Sequence, residues 1–131
     1  MNRQAGKAAF AARWSALALG CAVAFGAMAQ SYPTKPVKVV VNFPPGGAAD
    51  QIARAITGPL QEVLGQPVVV ENKGGAGGNI GGEAVARSAP DGYTLLMSSG
   101  GMVSVNPYIY PKMSFDPIKD LAPVAAAAKV K

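Results

Sequence analysis

"QPVVVENKGGAGGNIGGEAVARSAPDGYTLLMSS", residues 66–99, decides the fold class. The segment "PVVVENK" runs β-branched residues together without polar alternation, the pattern of a strand covered on both faces. Six of the sixteen glycines follow within residues 71–82. A helix is expected from about Ile80 to Ser88, then a turn at Pro90, Asp91 and Gly92, then a third strand in "YTLLMSS". Upstream, "KPVKVVVNF" repeats the buried-strand pattern and "PPGG" stops it. From Asp50 the period becomes helical, with Ile52, Ile56, Leu60, Val63 and Leu64 on one face. Asp50 is expected at the N-cap or in the first turn, and Gly65 ends the helix. Pro59 should kink or interrupt it. Strand, helix, strand, helix, strand implies an α/β fold, a parallel sheet with right-handed crossovers and helices on its faces. Further on, a short helical turn is expected at 106–110. "PVAAAAKVK", 123–131, is expected to enter the core as another strand. An unfinished apolar strand reads as the mark of a truncated domain.

The amino-terminal residues belong to targeting rather than to the fold. "MNRQAGKAAFAAR" carries three basic residues and no acid, "WSALALGCAVAFGAMA" is apolar throughout, and Ala27-Met28-Ala29 has small residues where a signal peptidase reads. Residues 1–29 are expected to be a secretory signal peptide cleaved after Ala29, which places the product outside the cytoplasm. The apolar run is short for a membrane span. Residues 30–131 are then the exported part. Of the twelve Lys and Arg, nine remain there against all seven acids, so the net charge is near +2 rather than +5. The pI of 9.6 is partly a targeting effect, and the basic residues are scattered singly, which gives no case for nucleic acid.

Cys21 is the only cysteine, and there is no histidine. Beyond the signal no disulfide, thiolate nucleophile, Cys or His metal site, His base or Ser-His-Asp triad can be built. That composition suits a binder better than a catalyst, and no cofactor, metal or catalytic residue is expected. In a parallel sheet, ligands sit at the carboxyl ends of the strands. Three loops leave there: "NFPPGGAAD", "NKGGAGGNIGG" and "SSGGMVSVN". Glycine admits a ligand close to the backbone, helix N-termini favour anions, and Asn79, Ser98, Ser99 and Ser104 add neutral donors. The same glycines could equally serve only tight strand-to-helix turns. A nucleotide-binding enzyme domain is the rival reading, but no P-loop is present. The dinucleotide pattern beginning at Gly75 fails at Ile80, where its third glycine belongs. Asp116 and Asp120 read as a solvated turn, Tyr108 and Tyr110 as packing, and Lys73 as either an anion attractor or a solvent-facing residue.

"YPTKPVKVVVNFPPGGAADQIAR", "LGQPVVVENKGGAGGNIGGEAVARSAPDGYTLLM" and "FDPIKDLAPVA" resemble, in this order, the amino-terminal part of the Bug family, periplasmic receptors of tripartite tricarboxylate transporters. The resemblance runs from about Tyr32 to Val124. It implies the parallel-sheet lobe of a periplasmic-binding-protein type II (Venus-flytrap) fold, with capture of a small organic acid or dicarboxylate between two lobes. It also implies partnership with the transporter's membrane components. Carried over by position, it implies ligand contacts at Phe43, Pro44, Gly46, Gly47, Ala48 and Asp50 in the first loop. Gly75, Ala76, Gly77, Gly78 and Asn79 follow in the second, and Ser98, Ser99, Gly100 and Gly101 in the third. Members of that family are longer, so 30–131 corresponds to a partial first lobe. An inert truncated product is the remaining alternative.

Overall fold

The structure is a computed structural model that describes residues 31–129. The expected signal peptide at 1–29 lies outside the described residues. The chain divides between Tyr32 and Pro33, and the fold lies in the second part. Three strands form one sheet: β1 (Val37–Val41), β2 (Val68–Asn72) and β3 (Thr94–Met97). All pairings are parallel in the order β2-β1-β3. Among the described residues four helices accompany them: α1 (Ala48–Leu64), α2 (Asn79–Ala86), α3 (Gly100–Ser104) and α4 (Asn106–Ile109), with a 3-10 turn at Ala76–Gly78 leading into α2.

β1 is central and therefore covered on both faces, which is why it reads as an unbroken apolar run. Val37, Val39 and Val41 point to one face and are buried with Ala53 of α1 and Val68 of β2. Ala49, Leu60, Leu64, Val70, Leu95 and Met97 pack around them. Val40 and Asn42 occupy the opposite face, where α2 lies: a Cβ on Gly81 would meet Asn42 Cβ at 2.7 Å. The chain moves one way from β1 to β2 and the other way from β2 to β3. Right-handed crossovers therefore put α1 and α2 on opposite faces.

Three sequence expectations need correction. The buried stripe of α1 is Ala49, Ala53, Leu60 and Leu64, whereas Val63 is 83% exposed. A neighbour of Leu64 is turned about 100° around the helix, and small alanines let α1 approach the sheet along their own line. Pro59 does not interrupt α1, which runs through it from Ala48 to Leu64. The carbonyl that loses its donor belongs to Ala55, and both residues are exposed, so water can replace the bond. Finally, residues 123–129 form no strand and stay exposed, since no hydrogen bond ties them to the sheet among the described residues. The turn near 106–110 appears as α4, and α3 precedes it in a stretch read as irregular.

The second face is closed by Met102 of α3 and Phe115, both buried, against Gly82 of α2. A Cβ at Gly82 would sit 2.6 Å from Phe115 Cζ and 2.8 Å from Met102 Sδ. Gly82→Ala is expected to overpack this contact and cost about 1–3 kcal/mol. Thermal melts would show it, and Phe115→Leu in the same chain should restore part of the loss.

Candidate ligand-binding site

The strand order reverses at β1, so the chain leaves β1 and β3 toward opposite faces and a crevice opens between their carboxyl ends. A cavity of about 970 Å³ lies there. Its mouth is formed by Phe43, Pro44, Pro45, Gly47, Ala48, Ala49 and Ile52 on one side and Ser98, Ser99 and Gly100 on the other. Leu96 and Met97 of β3 form its flank, facing residues 125–129. Lys129 is the only charged side chain among these lining residues.

The first loop is shaped by Asp50, which stands in the first turn of α1 and is 3% exposed. Its carboxylate accepts the Gly46 N–H at 2.8 Å, Arg54 Nε at 3.0 Å and Asn72 Nδ2 at 2.9 Å. Asn72 also donates to the Phe43 carbonyl at 3.2 Å, and Arg54 reaches Asn72 Oδ1 at 3.2 Å. The Arg54 guanidinium first, then the Gly46 N–H and the Asn72 amide, hold the Asp50 carboxyl down at about 2. Asp50 thus faces into the protein, folding the loop back and neutralising its own charge on Arg54. The N-cap of α1 is Gly47, which offers no side-chain cap. The first N–H groups of a long helix are therefore bare where Gly47, Ala48 and Ala49 line the mouth.

The second loop does not line the cavity. Residues 75–78 all have left-handed φ, at 119°, 49°, 64° and 93°, with Ala76 the one non-glycine at positive φ among the described residues. This coil turns the chain sharply enough for Gly78 to rest on Asn42, which a Cβ at Gly78 would strike. Gly74 meanwhile lies against the backbone of Phe43 and Pro44. Asn42 is 1% exposed. Its Nδ2 donates to the Gly78 carbonyl at 3.2 Å and to Ser98 Oγ at 2.8 Å, and lies 3.4 Å from Met102 Sδ. Its Oδ1 is buried without a partner. Asn106 of α4 similarly donates to the Gly77 carbonyl at 3.0 Å and to Asn79 Oδ1 at 2.6 Å.

The structure thus sorts the sequence candidates into two groups. Phe43, Pro44, Gly47, Ala48, Ser98, Ser99 and Gly100 come together around the mouth. Gly46, Asp50, Gly75, Ala76, Gly77, Gly78, Asn79 and Gly101 do not line it; several of them hold the loops that do. The Ser98 hydroxyl accepts from Asn42 Nδ2 at 2.8 Å and donates to the Ser99 carbonyl at 3.3 Å, so its contribution to the mouth is not a free hydroxyl. Lys73 is paired with Glu71 at 3.2 Å, and Tyr108 is fully outside, at 88% exposure. Asn42 and Asn72 were missed by sequence reasoning, although both stand at a strand's carboxyl end immediately before or within a glycine-bearing loop.

The parallel α/β lobe thus carries a crevice lined by small and apolar residues and by Lys129, edged by an uncapped helix. The chain belongs to the tripartite tricarboxylate transporter receptor family, whose model (Tripartite tricarboxylate transporter family receptor) matches residues 52–131. This is a family of solute-binding receptors, not of enzymes. The chain is 47% identical over 103 residues to Protein BugT of Bordetella pertussis, which covers 78% of this chain and 32% of that protein. It is similar to MatC from Rhodopseudomonas palustris with bound malate (42% identity, TM-score 0.65, covering 68% of this chain and 30% of that one). It also resembles a second R. palustris protein, solved with adipate, at 39% identity and TM-score 0.64, covering 66% and 29%. The chain spans about a third of the length of the relatives it matches.

The ordinary value for the Asp50 carboxyl is 3.8 and the folded value about 2. A lowered folded value means that the ionised knot stabilises the fold above about pH 4 and that this contribution is lost as pH falls toward 2. Asp50→Asn should therefore melt below the parent at neutral pH, and the gap between the two melting temperatures should narrow as pH falls from about 4 to 2. A gap that stays constant across that window would contradict this assignment.

Proposed function

We propose that residues 30–131 form part of the first lobe of an exported solute receptor that grips one carboxylate of a small organic acid and delivers it to the membrane components of a tripartite tricarboxylate transporter. The observation that carries this reading is the uncapped start of α1 at the cavity mouth. Bare N–H groups and the positive end of the helix dipole favour an anion, and Asp50, the nearest acid, is turned away and neutralised by Arg54. Malate and adipate in two relatives' structures support a carboxylate as the ligand class. Phe43, Pro44, Gly47, Ala48, Ser98, Ser99 and Gly100 would touch it, with Gly46, Asp50, Gly75, Ala76, Gly77, Gly78, Asn79 and Gly101 holding the loops in shape. The "AMA" site after an apolar run supports export to the periplasm through residues 1–29.

Calorimetry or thermal shift with malate, adipate and a neutral sugar tests the reading. Either acid should raise the melting temperature at millimolar concentration and the sugar should not. A response to the sugar alone would overturn it. Ala48→Pro removes one bare N–H at the first helical position, where proline is tolerated. It should weaken acid binding about tenfold, the equivalent of one hydrogen bond to a charged group, with little change in melting temperature.

A further inference from the structure

Building on the carboxylate reading above, we infer that Lys129 determines specificity for diacids over monoacids: with one acid group held at the start of α1, its ammonium receives the second. Gly47 and Ala48 line the cavity where α1 begins, and Lys129 lines it from a segment far along the chain. Every other side chain on the lining is apolar or serine, and glycine completes it. The Ser98 hydroxyl is already bonded to Asn42 and to the Ser99 carbonyl. Ala125 to Ala128, the rest of the Lys129 wall, present only methyl groups. A second carboxylate on the ligand therefore meets one cation and no other charged partner on the lining.

That cation is not committed elsewhere. Among the described residues the ion pairs draw on Lys35, Lys38, Arg54, Lys73, Arg87 and Lys119, and Lys129 enters none of them. Lys112 also stands outside them, but it does not line the cavity. No acidic side chain lines the cavity to compete for the ammonium, and Asp50 is held by Arg54.

A carboxylate carried into an apolar cavity without a partner loses its hydration and regains nothing. A hydrogen bond between ionised groups is stronger than one between neutral groups, so pairing with Lys129 offsets that loss. Removing the charge should therefore penalise ligands with a second carboxylate and spare the rest. The cavity, at about 970 Å³, is at the upper end of the roughly 300–1,000 Å³ of small-molecule sites, which leaves room for a carbon chain between the two acid groups. An ammonium on a flexible four-carbon stem follows chains of different length, so Lys129 selects the number of charges rather than their spacing.

Calorimetry with two matched pairs of acids tests the inference: adipate against hexanoate, and malate against 2-hydroxybutyrate. Each monoacid carries a methyl group where its partner carries the second carboxylate. The chain should bind each diacid at least about tenfold tighter than its monoacid, the equivalent of one hydrogen bond between charged groups. Lys129→Met keeps a long unbranched side chain without the charge. It should bring the ratio to about threefold or less, with monoacid affinity and melting temperature unchanged. Lys129→Arg should retain the preference. Ala48→Pro should weaken both members of each pair alike and leave their ratio as it was. If none of the four acids binds, the carboxylate reading falls and the inference with it. Binding without a diacid preference, a preference that survives Lys129→Met, or a loss in Lys129→Met that the monoacids share overturns the inference alone.

Discussion

One buried amide holds the three loops together. Asn42 leaves the end of the central strand and binds the second loop at Gly78 and the third at Ser98, with Met102 of α3 beside it. A buried polar group costs free energy unless it is bonded, so these bonds fix the relative positions of the three strand ends to within hydrogen-bonding tolerance. The demand propagates: the side chain fits only because Gly78 and Gly81 present no Cβ to it. The strand order, the glycine coil and the approach of α2 to the sheet all meet at this one side chain.

Asp50 organises the neighbouring region by charge rather than by packing. It gathers Gly46, Arg54 and Asn72, thereby linking the first loop, α1 and β2. A carboxylate near a helix start satisfies the dipole from within the fold. Here its salt bridge to Arg54 leaves the mouth without an opposing negative charge. The mouth is therefore defined by bare backbone and small or apolar side chains.

The sheet, its parallel sense and the first two helices were legible because β1 and β2 are continuous β-branched runs and α1 ends at Gly65 in the left-handed conformation. What escaped was decided by neighbours distant in sequence. The stripe of α1 could not be placed because Ala49 and Ala53 carry too little hydrophobic signal beside Ile56 and Val63, yet their small size lets the helix seat closely. The strand expected at 123–131 depends on a partner edge, and an apolar composition alone cannot supply one. The three loops at the strand ends were read from glycine and serine content, but which of their residues line the cavity was not. That division rests on which side chains meet across the loops, and Asn42 and Asn72 looked in sequence like ordinary residues at strand ends.

The left-handed coil at 75–78 also bears on how such a lobe can change over evolutionary time. Three of its four positions are glycines at positive φ, and two of these, Gly77 and Gly78, are also hemmed in by Tyr110 and Asn42. Almost any substitution there is penalised twice, by conformation and by collision. The supporting loop is thus closed to gradual variation, whereas Pro45, Ala48 and Ser99 at the mouth are exposed and stand on backbone that accepts other side chains. Variation in the lining of the crevice is channelled into those positions, on a frame that stays the same.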